Sequence, residues 1–166
     1  GTHHPWRGAR AAGGSSGGSA SAVAGGLVTL AADGDGGGSI RIPAAYNGLV
    51  GMKGTYGRIP RGHRTQIAPN TVVLGCVARS VQDVARNYDC CAGHDPHDPT
   101  SLPTEEGWER DLGTQDLSGK TAIILPGLGS VPLAPGVEAS IVEAGEALVA
   151  DHGMKRVEVE AGFDIP

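Results

Sequence analysis

Apolar positions in this chain come in short runs broken by glycine, and their periods predict alternating helices and strands. Ser19 to Ala24 predicts a helix of small residues, and Leu27 to Ala31 a short buried strand. A second helix is expected over Ser39 to Tyr46, with Pro43 early enough to be tolerated, followed by an inner strand at Leu49 to Met52. Gly, Pro and Arg make Gly54 to Asn70 a loop, and Val72 to Val77 is a candidate strand. Ser80-Val81-Gln82-Asp83 has capping-box spacing. Behind it Val81, Val84, Ala85, Tyr88 and Cys91 recur at helical spacing, with Gly93 as the stop. Residues 1–12 read as irregular and 100–119 as a polar linker whose acids Glu105, Glu106 and Glu109 form a solvated face.

The C-terminal stretch reads as strand (Thr121 to Leu125), helix (Val137 to His152) and outer strand (Arg156 to Glu160). Val137, Ile141, Ala144 and Leu148 make the apolar stripe of that helix, which outweighs the roughly 1 kcal/mol cost of Gly145. Such an order is a βαβ unit, for which parallel pairing and a right-handed crossover are expected.

Composition changes the picture in two ways. The 28 glycines among 166 residues are over twice the usual share of about 7%. Charge is divided: residues 1–80 carry eight Lys/Arg against two Asp/Glu, and residues 81–166 five against sixteen. No basic block of five or more occurs, which argues against a nucleic-acid partner. Neither a long apolar run nor a signal peptide is present in the sequence, so no membrane partner is expected. Three cysteines, Cys76, Cys90 and Cys91, have no metal-like spacing, and the adjacent Cys90-Cys91 reads as buried thiols of a reducing, cytoplasmic compartment. The pair His3-His4 reads as loop, and His94-Asp95-Pro96-His97-Asp98-Pro99 as a surface turn rather than a metal site.

The chemistry is concentrated between Gly13 and Thr55. Two glycine-bracketed serine sites, Gly13-Gly14-Ser15-Ser16-Gly17-Gly18 and Gly36-Gly37-Gly38-Ser39, are separated by apolar residues, with 24 positions between Ser15 and Ser39. A linker would not interleave Val23, Leu27, Val28, Leu30, Ile40 and Ile42 with its glycines. A phosphate loop would need G-x-x-x-x-G-K-[ST], and Ile-Arg follows Ser39 instead. Gly13 to Gly17 fits G-x-S-x-G, but no apolar strand run precedes it. The N–H groups of Gly36, Gly37, Gly38 and Ser39 are unshielded by side chains and suit a developing oxyanion. Ser39 then stands where an acyl-transfer nucleophile must, and it needs a base to take its proton. No histidine lies between His4 and His63.

These motifs, with Ile40-Arg41-Ile42-Pro43-Ala44 and Gly51-Met52-Lys53-Gly54-Thr55-Tyr56-Gly57-Arg58, resemble the amidase signature family. The likeness runs from about Pro5 to the C-terminus and weakens after Arg79. Asp33-Gly34-Asp35 stands where Gly-Thr-Asp is more usual, and Gly54 where Pro is.

The resemblance implies an α/β/α layered fold around a central twisted mixed sheet, of which this chain holds part. It implies one partial domain over residues 1–166, with 1–79 as the serine/glycine core and 80–166 as helix, linker and βαβ unit. It implies hydrolysis of an amide C–N bond by a Ser–cis-Ser–Lys triad on a small-molecule amide, without cofactor or metal. Ser39 matches the nucleophile, Ser15 the serine after a cis peptide bond, with Ser16 beside it as support. Gly36, Gly37, Gly38 and Ser39 match the oxyanion hole, and Asp35 and Arg41 a pair that braces the loop. The family's lysine lies well upstream of the first serine motif. Lys53, Lys120 and Lys155 are the only lysines here and none precedes an Asp, so the chain reads as an internal fragment that lacks its base and is inactive alone. Two alternatives stand beside the amidase reading: the amide-hydrolysing subunit of a glutamine-dependent amidotransferase, and a non-catalytic remnant. Ile42, where the amidotransferase branch more often has Gln, argues against the former. A homodimer is left open.

Overall fold

Short strands rich in small apolar residues are buried only when other elements cover both faces of their sheet. The computed structural model describes residues 2–62, 71–129 and 131–159, and the chain divides into two compact units, Gly1–Gly113 and Thr114–Pro166. The first unit contains β1 (His3–His4), β2 (Arg7–Ala11), α1 (Gly17–Ala24), β3 (Leu30–Asp35), α2 (Arg41–Tyr46), β4 (Val50–Lys53), β5 (Val73–Ala78) and α3 (Val81–Cys91). Its main sheet has the order β3-β5-β4, with both outer strands antiparallel to β5. Registers run from Leu30 opposite Ala78 to Asp35 opposite Val73, and from Val50 opposite Ala78 to Lys53 opposite Gly75.

Alternation along β5 sorts the core into two layers. Val77 packs with Val23 of α1, Ala44 of α2 and Ile40 on one face of the sheet. Cys76 and Ala78 pack with Val84 and Tyr88 of α3 on the other. The sheet is therefore sandwiched between helices, as expected of an α/β/α layered protein. A Cβ on Gly75 would run into the carbonyl oxygen of Met52, so the central strand is bare where β4 comes closest.

Strand bounds differ from the sequence reading. The expected strand at Leu27 to Ala31 starts three residues later, and Leu27 is 82% exposed. Helix α1 closes with Gly25 N–H on Ser21 O and Leu27 N–H on Ala22 O, a turn that uses up these residues. Ladder pairing with six residues of β5 then extends β3 through Asp33-Gly34-Asp35. Helix α2 begins at Arg41 rather than Ser39. Within the stretch expected to be irregular, residues 3–11 form a hairpin, with His3 opposite Ala11 and His4 opposite Arg7.

Helix α3 follows its signals. Ser80 Oγ accepts from Asp83 N–H at 3.1 Å and donates to Asp83 Oδ2 at 2.7 Å. Val84, Ala85, Asn87 and Tyr88 are buried, whereas Val81 is exposed. Cys90 and Cys91 are exposed, contrary to expectation: Cys90 falls half a turn beyond Tyr88, on the far side, and Cys91 ends the helix. Only Cys76 is a buried thiol, and burial pushes its pKa up to about 11.

The polar stretch after α3 is packed rather than loose. Asp89 of α3 accepts the N–H groups of Gly107, Trp108 and Glu109 at 2.8–2.9 Å. Trp108 lies 5.4 Å from the Tyr88 ring, with Arg58 5.7 Å over it. Of the acids expected on a solvated face, Glu105 pairs with Arg58 at 2.8 Å and Glu109 with Arg86 at 2.6 Å. The His94–Pro99 turn also departs from a simple surface turn. Asp98 is buried and accepts from Arg61 N–H, Thr100 N–H and the Thr100 hydroxyl.

The second unit has β6 (Thr121–Ala122), a 3-10 turn (Pro126–Gly129), α4 (Val137–Asp151) and β7 (Lys155–Arg156). β6 and β7 pair in parallel, as the βαβ order predicts, but each strand is only two residues long. A Cβ on Gly145 would lie 2.8 Å from Ile124 Cδ1, which is why α4 carries a glycine there. Residues 63–70 of the expected loop and Glu160 of the expected strand lie outside the described residues.

Candidate active site

Two loops form the site. The first leaves the buried Ala12 and leads into α1. Within it Gly13 takes φ +79°, the Gly14–Ser15 peptide bond is cis, Ser15 is exposed and Ser16 is half-buried. The second loop leaves the end of β3 at Asp35 and leads into α2. Gly36 and Gly37 are exposed, Gly38 is buried at φ +104°, and Ser39 is half-buried. Ser16 N–H donates to the Ser39 carbonyl at 3.4 Å, so motifs 24 positions apart meet.

Asp35 organises the second loop. Its side chain has no exposed surface, yet it accepts five hydrogen bonds. Oδ1 takes Gly38 N–H at 2.7 Å and Arg41 Nη2 at 2.9 Å. Oδ2 takes Ile40 N–H at 3.2 Å, Arg41 N–H at 3.3 Å and Arg41 Nε at 2.9 Å. The Arg41 guanidinium and these amides outweigh burial and hold the carboxyl well below the usual carboxylate range. Asp35 in turn raises the Arg41 pKa.

This arrangement changes one expectation. Of the four N–H groups read as an oxyanion array, that of Gly38 points inward to Asp35. A carboxylate seated under a tight turn collects the amides that face it. Asp35 takes none of the amides of Gly36, Gly37 and Ser39. Gly38 is needed here for a different reason, since its positive φ and its contact with Ile42 leave no room for a Cβ.

Asn47, which the sequence reading does not single out, is buried and ties the end of α2 to the residue ahead of the first loop. Its Nδ2 donates to Ala12 O and to Pro43 O, each at 2.8 Å. A groove of about 850 Å³ lined by His4, Trp6, Arg7, Arg10 and Tyr46 contains neither motif serine. Among the described residues no three His, Cys, Asp or Glu side chains are gathered as a metal site. No helix among them is long and apolar enough to cross a membrane.

Two serine loops joined backbone to backbone, one of them built over a buried acid, form the candidate site, and the comparisons give the family. The Amidase family matches residues 1–162, and this chain belongs to that family. A glutamyl-tRNA(Gln) amidotransferase subunit from Oceanobacillus iheyensis is 46% identical over 118 residues, 71% of this chain and 24% of that protein. Its counterpart in Synechococcus sp. (strain RCC307) is 40% identical over 158 residues, 95% of this chain and 32% of that one. A bacterial aryl acylamidase superposes with a TM-score of 0.85 at 31% identity, over 98% of this chain and 33% of its own. The peptide amidase of Stenotrophomonas maltophilia gives 0.82 at 33%, over 96% and 33%. The chain thus spans between a quarter and a third of the length of these relatives.

Proposed function

We propose that the whole protein hydrolyses a carboxylic amide C–N bond through an acyl-enzyme on Ser39. The observation that carries this reading is the meeting of the two serine loops, with Ser16 N–H on the Ser39 carbonyl and Ser15 exposed next to it in sequence. In this mechanism Ser15 takes the proton of Ser39 and passes its own to a lysine carried by a part of the protein beyond these 166 residues. Ser39 Oγ attacks the amide carbonyl, and the N–H groups of Gly36, Gly37 and Ser39 hold the oxyanion. Each such donor contributes about 2.7–4 kcal/mol to the lowering of the barrier. The leaving amine receives the relayed proton, and water then releases the acid and frees Ser39. Asp35 and Arg41 keep the donor loop in shape before substrate arrives. The unpaired thiols of Cys76, Cys90 and Cys91 fit a cytoplasmic setting.

A second reading rests on the relatives named as components of a glutamyl-tRNA(Gln) amidotransferase. There the same acyl-enzyme forms from glutamine, and the ammonia goes to a partner protein instead of into solution. Hydrolysis of an activated anilide by the full protein and by its S39A variant tests the shared chemistry. The variant is expected to lose on the order of 10⁴-fold or more in turnover, and unchanged turnover would sink the assignment. Release of glutamate from glutamine, enhanced by a partner protein, selects the second reading.

A further inference from the structure

Asn47 belongs to neither serine motif, yet it ties the helix that follows the second to the residue that precedes the first. It ends α2 with no exposed surface. Its Nδ2 reaches 35 residues back to the carbonyl of Ala12, the residue directly ahead of the Gly13–Gly18 motif. The same nitrogen donates to the carbonyl of Pro43, four residues back in α2, the helix that leads off from Ser39. At this point the two backbones touch: a Cβ on Gly13 would lie 2.9 Å from the Cα of Pro43. The other tie between the loops, Ser16 N–H to Ser39 O, is 3.4 Å long and at the weak end of hydrogen bonding.

Two carbonyl acceptors facing one atom call for two N–H donors on it, which among neutral side chains the amides of Asn and Gln supply. An aspartate there would set an acceptor against two acceptors. Among the described residues Asn47 Oδ1 is buried and has no hydrogen-bond partner.

We propose that Asn47 is a positioning residue whose amide sets the separation of the Ser15 and Ser39 loops, and with it the efficiency of the proton relay. This inference rests on the reading of Ser39 as nucleophile. Relay geometry is sensitive, since misplacement by about 1 Å costs on the order of a hundredfold in rate.

The test is the rate at which a fluorophosphonate labels Ser39 in the full protein, alongside KM and kcat for an amide substrate. N47A is expected to slow labelling by about ten- to a hundredfold and to lower kcat with little change in KM. V84A, which truncates a buried residue on the opposite face of the sheet, supplies the stability control and is expected to label at the wild-type rate. N47D covers the case in which N47A does not fold. When protonated it regains one donor, so its labelling rate relative to wild type should rise as pH falls. Labelling of N47A at the wild-type rate, equal slowing in V84A, or a flat N47D ratio would each overturn the proposal. Wild-type protein that takes up no probe at Ser39 would instead bring down the nucleophile assignment beneath it.

Discussion

Replacing Asp35 by Asn tests the residue on which the second serine loop is built. Asn keeps one acceptor but turns an NH₂ toward donors on Ile40 and Arg41, so D35N is expected to lose about 2–3 kcal/mol in chemical denaturation. The pH dependence has a definite sign. Because the folded pKa of Asp35 is depressed, its stabilisation is complete above the unfolded value of about 4 and is lost as pH falls below it. Wild type should therefore lose stability below about pH 4 more steeply than D35N; parallel curves would show that Asp35 is not the group responsible. At this scale Ser15, Ser39, Asp35 and Arg41 were legible because each sits inside a contiguous motif. Asn47 was not, because one of its partners is a backbone carbonyl 35 residues away. The inward turn of the Gly38 amide was hidden too, since it follows from where the Asp35 carboxylate lies rather than from glycine itself.

Among the elements, α3 was the most legible, because its start is written into Ser80 and Asp83. Truncating that cap in S80A should cost about 1 kcal/mol, read as a shifted urea midpoint with unchanged slope. The strands were less legible. An apolar run at Leu27 to Ala31 names candidates for burial, but the ladder to β5 sets where β3 begins and ends. The polar stretch after α3 reads as a linker for a related reason. Its hold on α3 runs through backbone amides to Asp89, the Glu109–Arg86 pair and one aromatic contact, none of which a composition count registers. W108A should accordingly destabilise the first unit by about 2 kcal/mol, roughly half the cost of a fully buried tryptophan. A loss near zero would return that stretch to the status of a linker.

On the scale of the molecule, layering followed from the order of apolar runs, and the meeting of two serine loops followed from layering. The sheet carries α1 and α2 on one face, so the loops leading into these helices lie side by side. The boundary between the two compact units, at Gly113 and Thr114, leaves no mark in polarity and so is not legible in the sequence. The central claim is that Ser39 carries the acyl group. It is tested most directly by acid-quenching the full protein during turnover of an amide and locating the adduct by peptide mass mapping. The account predicts an acyl increment on the peptide containing Ser39, absent from S39A. An adduct on Ser15, or steady turnover with no adduct and an active S39A variant, would contradict it.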